Sequence, residues 1–338
     1  MLRLILMMCF IFSAQNVFSA EKTPKVETLF QGNDVIWGFD FLSANEIIFT
    51  ERIGKFKLLN TQTGKVTILK VPVEVVATGQ GGLLDIKAHP DYVKSKLIYF
   101  AYSKKVSGGM TTALARFKLN ENKVTDFSDV LVTNAVGPGI IHFGSRIIWD
   151  KDKSLFLAIG ERNERDKAQD LKLHNGKILK VSEDGKAEVW SYGHRNPQGL
   201  ALHPTTGEIY ESEFGPLGGD EVNVIHKGKN YGWPVITYGK EYSGPKIGEG
   251  THKEGMEQPL VYWVPSISPS GMDFYKGDLF LGCLSGMQLR RVQFKNNKVV
   301  GQEELLKDRG WRIRNVRAGS DALYISTDSG LLARVKVE

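Results

Sequence analysis

The chain is nearly free of cysteine: its 338 residues hold two, Cys9 and Cys283. Cys9 falls in an N-terminal stretch that reads as a removable leader, so Cys283 would stand alone in the mature chain and an intrachain disulfide is excluded. An exported domain without disulfides must rest on its hydrophobic core, and a chain of this length can bury one. Past the first residues no apolar run approaches the roughly 20 residues of a membrane span. There is no dense run of Lys and Arg with interleaved aromatics, which argues against a nucleic-acid partner. The net charge of +6 is spread out, a solubility feature that also suits anionic partners. A phosphate loop, a dinucleotide fingerprint and a Ser-His-Asp pattern are all missing, which argues against a nicotinamide enzyme. His89, His174, His194, His203 and His226 show no metal-ligand spacing. Sustained helical periodicity is absent too.

The first 20 residues, MLRLILMMCFIFSAQNVFSA, place one arginine before an apolar run that ends in small residues. This predicts a signal peptide cleaved near Ser19 or Ala20, and hence a periplasmic or secreted protein. The alternative, a membrane anchor, asks for a longer run. No Pro/Ser-rich linker follows, so residues 21–338 read as one domain although length alone would suggest two.

What is abundant is a repeat. Six strand-turn-strand units recur: GFDFLSANEIIFTE, LLDIKAHPDYVKSKLIYFAY, RIIWDKDKSLFLAIG, GLALHPTTGEIYESE, GMDFYKGDLFLGCL and VRAGSDALYISTD. Most are followed by a second hairpin, such as GKFKLLNTQTGKVTIL or LRRVQFKNNKVVGQEELL. Successive units start roughly 45–70 residues apart, the spacing of propeller blades with loop insertions. The expected fold is all-β, a six-bladed β-propeller with four-stranded antiparallel blades. A β-sandwich is the competitor, and the repeat count argues against it. The last segment, SGLLARVKVE, is expected to pair with VETLFQG near the start, closing the ring and removing exposed sheet edges.

A closed ring gathers the loop ahead of each inner strand at one mouth of a central channel. Those loops carry Gln80, His142, Arg195, Asn196, Gln198, Arg312 and Arg314. Cations, amides and one histidine around a mouth describe a pocket for an anionic ligand. Arg312 and Arg314 alternate, so both side chains face one way.

The segments GQGGLLDIKAHPDY, IHFGSRIIW, GERNERDKAQDLKLHNGKILKV, SYGHRNPQGLALHP, EFGPLGGDEVNVIHKGKNYGWPVITYG, YWVPSISPSGM and RIRNVRAG stand in this order along the mature chain. As a set they resemble the soluble pyrroloquinoline quinone-dependent aldose sugar dehydrogenases, relatives of soluble glucose dehydrogenase. The resemblance implies a six-bladed propeller with the quinone across the channel mouth and oxidation of an aldose at its C1 hydroxyl. It implies His142 as general base, working near neutral pH with an ordinary imidazole pKa of about 6.5. It sets Arg195 and Asn196 against the quinone oxygens, with Arg195 stabilising charge on the reduced ring. Gln80 and Gln198 fall near the cofactor, and Arg312 and Arg314 become cofactor-carboxylate and substrate-side contacts. Backbone carbonyls of Gly215 and Pro216 would hold a catalytic Ca2+, an ion that favours oxygen ligands. A second calcium is placed around Glu241 and Glu257 with carbonyls of Thr237 and Gly239. Asp220 and Glu221 are expected to tie their loop by hydrogen bonds.

Three positions depart from the family pattern. Ser285 stands where many relatives have a quinone-contacting lysine. Glu161 replaces the more usual aspartate, one methylene longer. Trp311 puts a large aromatic beside the paired arginines, either to stack on a ligand or to cover the mouth. The expected partners are an aldose substrate and an electron acceptor that the sequence does not name, for a monomer or homodimer. Two other functions remain in view: a calcium-dependent propeller lactonase, disfavoured by the cationic mouth, and a non-catalytic sugar- or partner-binding propeller. Specificity is expected from the loops 238–260 and 262–271.

Overall fold

The structure is a computed structural model that describes residues 24–337. The leader segment 1–20 lies outside the described residues. Six four-stranded antiparallel sheets form the blades. Their inner strands are Ile36–Ser43, Leu83–Ala88, Ile147–Trp149, Pro197–Leu202, Pro269–Tyr275 and Ile313–Ala318. Each inner strand opens one of the six sequence repeats, and the next three strands of its blade follow outward in chain order, except in blade six. There the chain runs out after Leu331–Lys336, and the outermost place is taken by Lys25–Gln31 from the other end. The expected closure is present, with Val26 opposite Val335 and Gln31 opposite Leu331. Among the described residues helix is confined to one four-residue turn, Tyr92–Ser95, and two short 3-10 segments.

Alternation along the strands explains how the ring packs. Successive strand residues face opposite sides, so each blade buries one set against the blade before it and the other against the blade after it. Ile47, Phe49 and Leu59 pack on Leu332 of blade six, while Ile48, Phe56 and Leu58 pack on Leu83, Ile86 and Phe100 of blade two. The same split recurs at Ile147 and Ile148, and at Phe280 and its neighbours Leu279 and Leu281. Cys283 is a free thiol in the seam between blades four and five, and burial pushes its pKa up to about 12.

A repeated aspartate locks neighbouring inner strands together. Asp40, Asp85 and Asp273 occupy the same place in GFDF, LLDI and GMDF. Their carboxylates accept the backbone N–H of Ala88 (2.9 Å), Ile147 (2.9 Å) and Ala318 (3.0 Å) on the following blade. Buried Arg146 crosses the channel. It donates to Asp85 (3.1 Å) and to the Gln198 carbonyl (2.8 Å), and its guanidinium lies 4.2 Å from the Trp37 ring centre. Trp37 and Gln198, which meet Arg146, also line the cavity at the mouth.

The outer half of blade four differs from a simple hairpin. Strand Asp220–Ile225 pairs with Val261–Trp263 across the insertion 226–260. Of the segment expected to be a specificity loop, residues 262–263 belong to this outer strand and Pro269 already begins the inner strand of blade five.

Candidate active site

The mouth is a cavity of 260 Å³. Gln80, Gln198, Arg312 and Arg314 line it together with Trp37, Arg52, Phe143 and Asp328. Four of the expected residues, taken from blades two, four and six, therefore converge on one space; Gln80 and Arg312 come from loops ahead of inner strands, whereas Gln198 and Arg314 stand on the first residues of the strands themselves.

His142 does not itself line this cavity; it is 6% exposed, next in sequence to lining residue Phe143 and bonded through its backbone to lining residue Gln80. Its backbone is left-handed, with φ of 56°. That strained turn is held from three directions. The His142 N–H donates to Gln80 Oε1 at 2.8 Å. Gly160 packs so close to the His142 carbonyl that any side chain there would collide with it. Arg162, fully buried, donates to the carbonyls of Ile141 and, at 2.5 Å, Gly139, and its guanidinium lies 3.4 Å from the Phe143 ring centre. Burial lowers the Arg162 pKa to about 10, so it stays charged at neutral pH.

Nδ1 of His142 meets the carboxylate of Glu161, itself 2% exposed. Burial lowers the imidazole pKa below its ordinary value, Glu161 pulls the other way, and the Arg195 charge adds to the lowering. The ring is thus neutral near pH 7, with Nδ1–H on the carboxylate and Nε2 free to accept a proton. Glu161 was visible in the sequence only as a longer aspartate; its contact with His142 across 19 residues is tertiary.

The Arg195 loop is built on Glu213. One carboxylate oxygen accepts the backbone N–H groups of Arg195 (2.5 Å) and Asn196 (3.3 Å). The Arg195 guanidinium donates to the carbonyls of Phe214 (3.1 Å) and Gly215 (2.9 Å) and lies 5.3 Å from the Trp233 ring centre. Asn196 Oδ1 accepts from the Gly144 N–H (3.3 Å) and Gln198 Nε2 (3.2 Å). Arg195 Nε and Asn196 Nδ2 remain buried donors without a protein acceptor. Arg195 lines a narrow second cavity with Glu213, Gly215 and Glu221 rather than the main one.

Arg312 and Arg314 do face one way, and both reach Asp328: Arg312 at 3.0 Å, Arg314 at 2.7 and 3.0 Å. Sequence reasoning missed Asp328, although a carboxylate just after the partner strand Leu323–Thr327 is where such a clamp must stand. Asp220 ties its loop as expected, accepting from Gly215 (2.9 Å), Ile267 (2.7 Å) and Ser268 (2.7 Å). Glu221 accepts from Asn223 Nδ2 (3.4 Å) on its own strand and lines the narrow cavity. Glu241 and Glu257 lie in the blade-four insertion, each with a partly exposed cationic partner, Arg165 at 2.6 Å and Lys229 at 3.0 Å. Ser285 Oγ lies 2.8 Å from Ser268 Oγ, and Ser268 lines the mouth.

A six-bladed ring with this mouth matches a known family along nearly its whole length: the glucose/sorbosone dehydrogenases, over residues 33–334. The chain belongs to this family. Aldose sugar dehydrogenase YliI of Escherichia coli K12 is 39% identical over 350 aligned positions, covering 94% of each chain. The crystal structure of the soluble aldose sugar dehydrogenase of Escherichia coli in its apo-form superposes with a TM-score of 0.88 at 38% identity, covering 94% of this chain and 100% of that one. The PQQ-bound form of the aldose sugar dehydrogenase from Streptomyces coelicolor superposes at 0.80 and 28% identity, covering 93% and 99%. The dehydrogenase fold and the oxidoreductase class follow from this membership.

Proposed function

We propose that this dehydrogenase is a periplasmic quinoprotein that oxidises the C1 hydroxyl of an aldose to the lactone. The observation that carries the reading is the buried His142–Glu161 pair beside a mouth lined with arginines and amides. When bound, pyrroloquinoline quinone would accept the hydride from C1, with calcium as the Lewis acid that polarises it.

The residues suit such a group. Arg312 and Arg314 bring two positive charges against the single charge of Asp328, leaving cationic character for a carboxylate ligand. Asn196 Nδ2 and Arg195 Nε are buried donors that still need acceptors. For calcium, the Gly215 carbonyl keeps a lone pair beyond the one that accepts from Arg195, and Pro216 is buried beside it. Glu213 and Glu221 line the adjoining cavity and favour a cation there. His142 takes the C1 hydroxyl proton at Nε2, while Glu161 holds the opposite nitrogen and stabilises the imidazolium that forms. Gln80 fixes the backbone that aims the ring. Arg195 and Asn196 stabilise negative charge that develops as the reaction proceeds. The leader segment supports export, and an acceptor from outside the chain must take the electrons away.

The test is reconstitution. Apoprotein given quinone and calcium is expected to reduce an artificial electron-acceptor dye when an aldose is added, and to lose quinone binding with a chelator. Absence of quinone binding would overturn the reading; binding indifferent to the chelator would remove the calcium.

A further inference from the structure

Blade four carries a second constellation behind the mouth. Glu211 and Glu213 alternate on the strand Ile209–Glu213, and Glu221 and Asn223 on Asp220–Ile225. The register sets Glu211 opposite Asn223 and Glu213 opposite Glu221, so all four side chains share one face. His194, fully buried and stacked on Tyr231 with ring centres 4.8 Å apart, closes over them from the loop ahead of the inner strand. One ligand-type atom each from His194, Glu211 and Glu213 lie within 4.8 Å of one another.

Donors and acceptors do not balance here. The Asn223 amide nitrogen serves both Glu211 Oε2 (3.1 Å) and Glu221 Oε2 (3.4 Å). Its own Oδ1, on a side chain 1% exposed, has no partner, and neither does Glu211 Oε1. Among the described residues His194 is the ion-pairing partner of this group; no lysine or arginine pairs with Glu211, Glu213 or Glu221. Buried carboxylates without compensating charge are costly; burial, and then the Glu213 charge, push Glu211 and Glu221 well above the usual carboxylate range, so an entering cation displaces protons from them. The imidazole supplies a further clue. Nε2 lies 2.8 Å from Ser191 Oγ, which leaves Nδ1 facing Glu213 Oε1 at 3.3 Å. A metal-bound imidazole is held in this way, its far nitrogen fixed by a second hydrogen bond.

We propose that His194, Glu211 and Glu213, with Asn223 Oδ1 alongside, form a binding site for a divalent transition-metal ion such as zinc. One imidazole with carboxylates selects a borderline ion, whereas calcium favours oxygen alone. Zinc bonds of about 2.0–2.1 Å set neighbouring ligand atoms roughly 3.3 Å apart, which the His194–Glu213 pair already satisfies. The Glu211 ligand atom stands within 4.8 Å of the other two, and its Oε1 has no protein partner. The narrow cavity lined by Glu213 and Glu221 reaches one of the three ligands, Glu213. Bound at this site, the ion ties the Arg195–Asn196 loop to the strands behind it. The proposal does not depend on the quinone reading.

The test uses the full chain, stripped with a chelator and held in excess calcium so that oxygen-only sites are filled. Titrated with zinc, the wild type is expected to retain one equivalent by elemental analysis and to melt at a higher temperature than the stripped protein. Glu211→Gln keeps the shape but removes the ligand charge, and is expected to bind zinc at least about 100-fold more weakly. If Glu211→Gln does not fold, X-ray absorption of the zinc-loaded wild type decides: a shell with one imidazole nitrogen among oxygens is expected, and a shell without imidazole would overturn the proposal. No retained zinc, no shift in melting, or equal binding by folded Glu211→Gln would each overturn the proposal.

Discussion

His142 and Glu161 form a buried pair across the start and the end of one blade hairpin. His142 precedes the inner strand Ile147–Trp149, and Glu161 follows its partner Leu155–Ile159, so the antiparallel pairing returns the carboxylate to the imidazole. Gly160 makes the approach possible, because only a residue without a side chain fits under the His142 carbonyl. If this imidazole is the general base, His142→Gln folds normally and loses the chemical step. Removing such a base costs on the order of 10²–10⁴ in rate. Melting temperature and quinone affinity should stay near wild type while dye reduction collapses; near-normal turnover would assign the base elsewhere.

The same pair fixes the direction of the pH dependence. Burial holds the His142 pKa below its ordinary value, so the active neutral form persists into mildly acidic solution. The acid limb of kcat/KM is expected below about pH 6.5. Glu161 favours the protonated ring, so Glu161→Gln lowers the pKa further and moves that limb to still lower pH. Its plateau also drops, by up to about 10⁴, because the tautomer is less firmly held. A limb that stays put, or moves up, would show that the carboxylate does not act on the imidazole.

Ring closure makes a stability prediction. The strand Lys25–Gln31 supplies the whole outer edge of blade six, and Phe30 reaches across to Phe49 with ring centres 5.1 Å apart. A chain beginning at Asn33 would leave Leu331–Lys336 as an open edge. In a chain of this length each kcal/mol lost shifts the melting midpoint by roughly 1.5 °C, so a drop on the order of 5 °C is expected for several kcal/mol. Self-association through the bare edge should accompany it, visible by light scattering. An unchanged midpoint would mean the ring is held by its core seams alone.

The blades were legible in the sequence because each hairpin alternates cleanly and turns on short polar loops; Ile47 and Ile48 declare two different seams by position alone. Blade four hid its outer strand because residues 226–260 separate Val261–Trp263 from its partner, and three residues make no periodic signal. The mouth residues could be listed, since each precedes an inner strand, as Gln80 and Arg312 do, or stands at its first positions, as Gln198 and Arg314 do. Their partners could not. Asp328, Glu213 and Arg162 act through contacts with residues 14 to 23 positions away, set by strand pairing and loop return rather than spacing. The ion pairs of Glu241 with Arg165 and of Glu257 with Lys229 were equally invisible, because the partners stand 76 and 28 positions away.

Ser285 offers the most direct test of how the mouth holds its ligand. Its hydroxyl lies 2.8 Å from Ser268 Oγ and 3.4 Å from the Ser266 carbonyl, on an exposed turn whose neighbours Leu284 and Ser268 line the cavity. A lysine from this position can extend over the mouth without displacing a buried group. Arg312 and Arg314 are already partly neutralised by Asp328, so the cavity has room for another cation. A new charge-assisted hydrogen bond contributes roughly 1.5–3 kcal/mol when its geometry is good, and about 1.4 kcal/mol is a tenfold change in Kd. Ser285→Lys is therefore expected to bind the quinone about tenfold or more tightly, measured by calorimetric titration beside the wild type at matched calcium. Tightening that vanishes at high salt would mark the lysine as a diffuse charge rather than a direct contact, since screening weakens exposed pairs first. Unchanged affinity in a well-folded variant would mean that the bound ligand stops short of blade five, with Arg195, Arg312 and Arg314 meeting all of its charge.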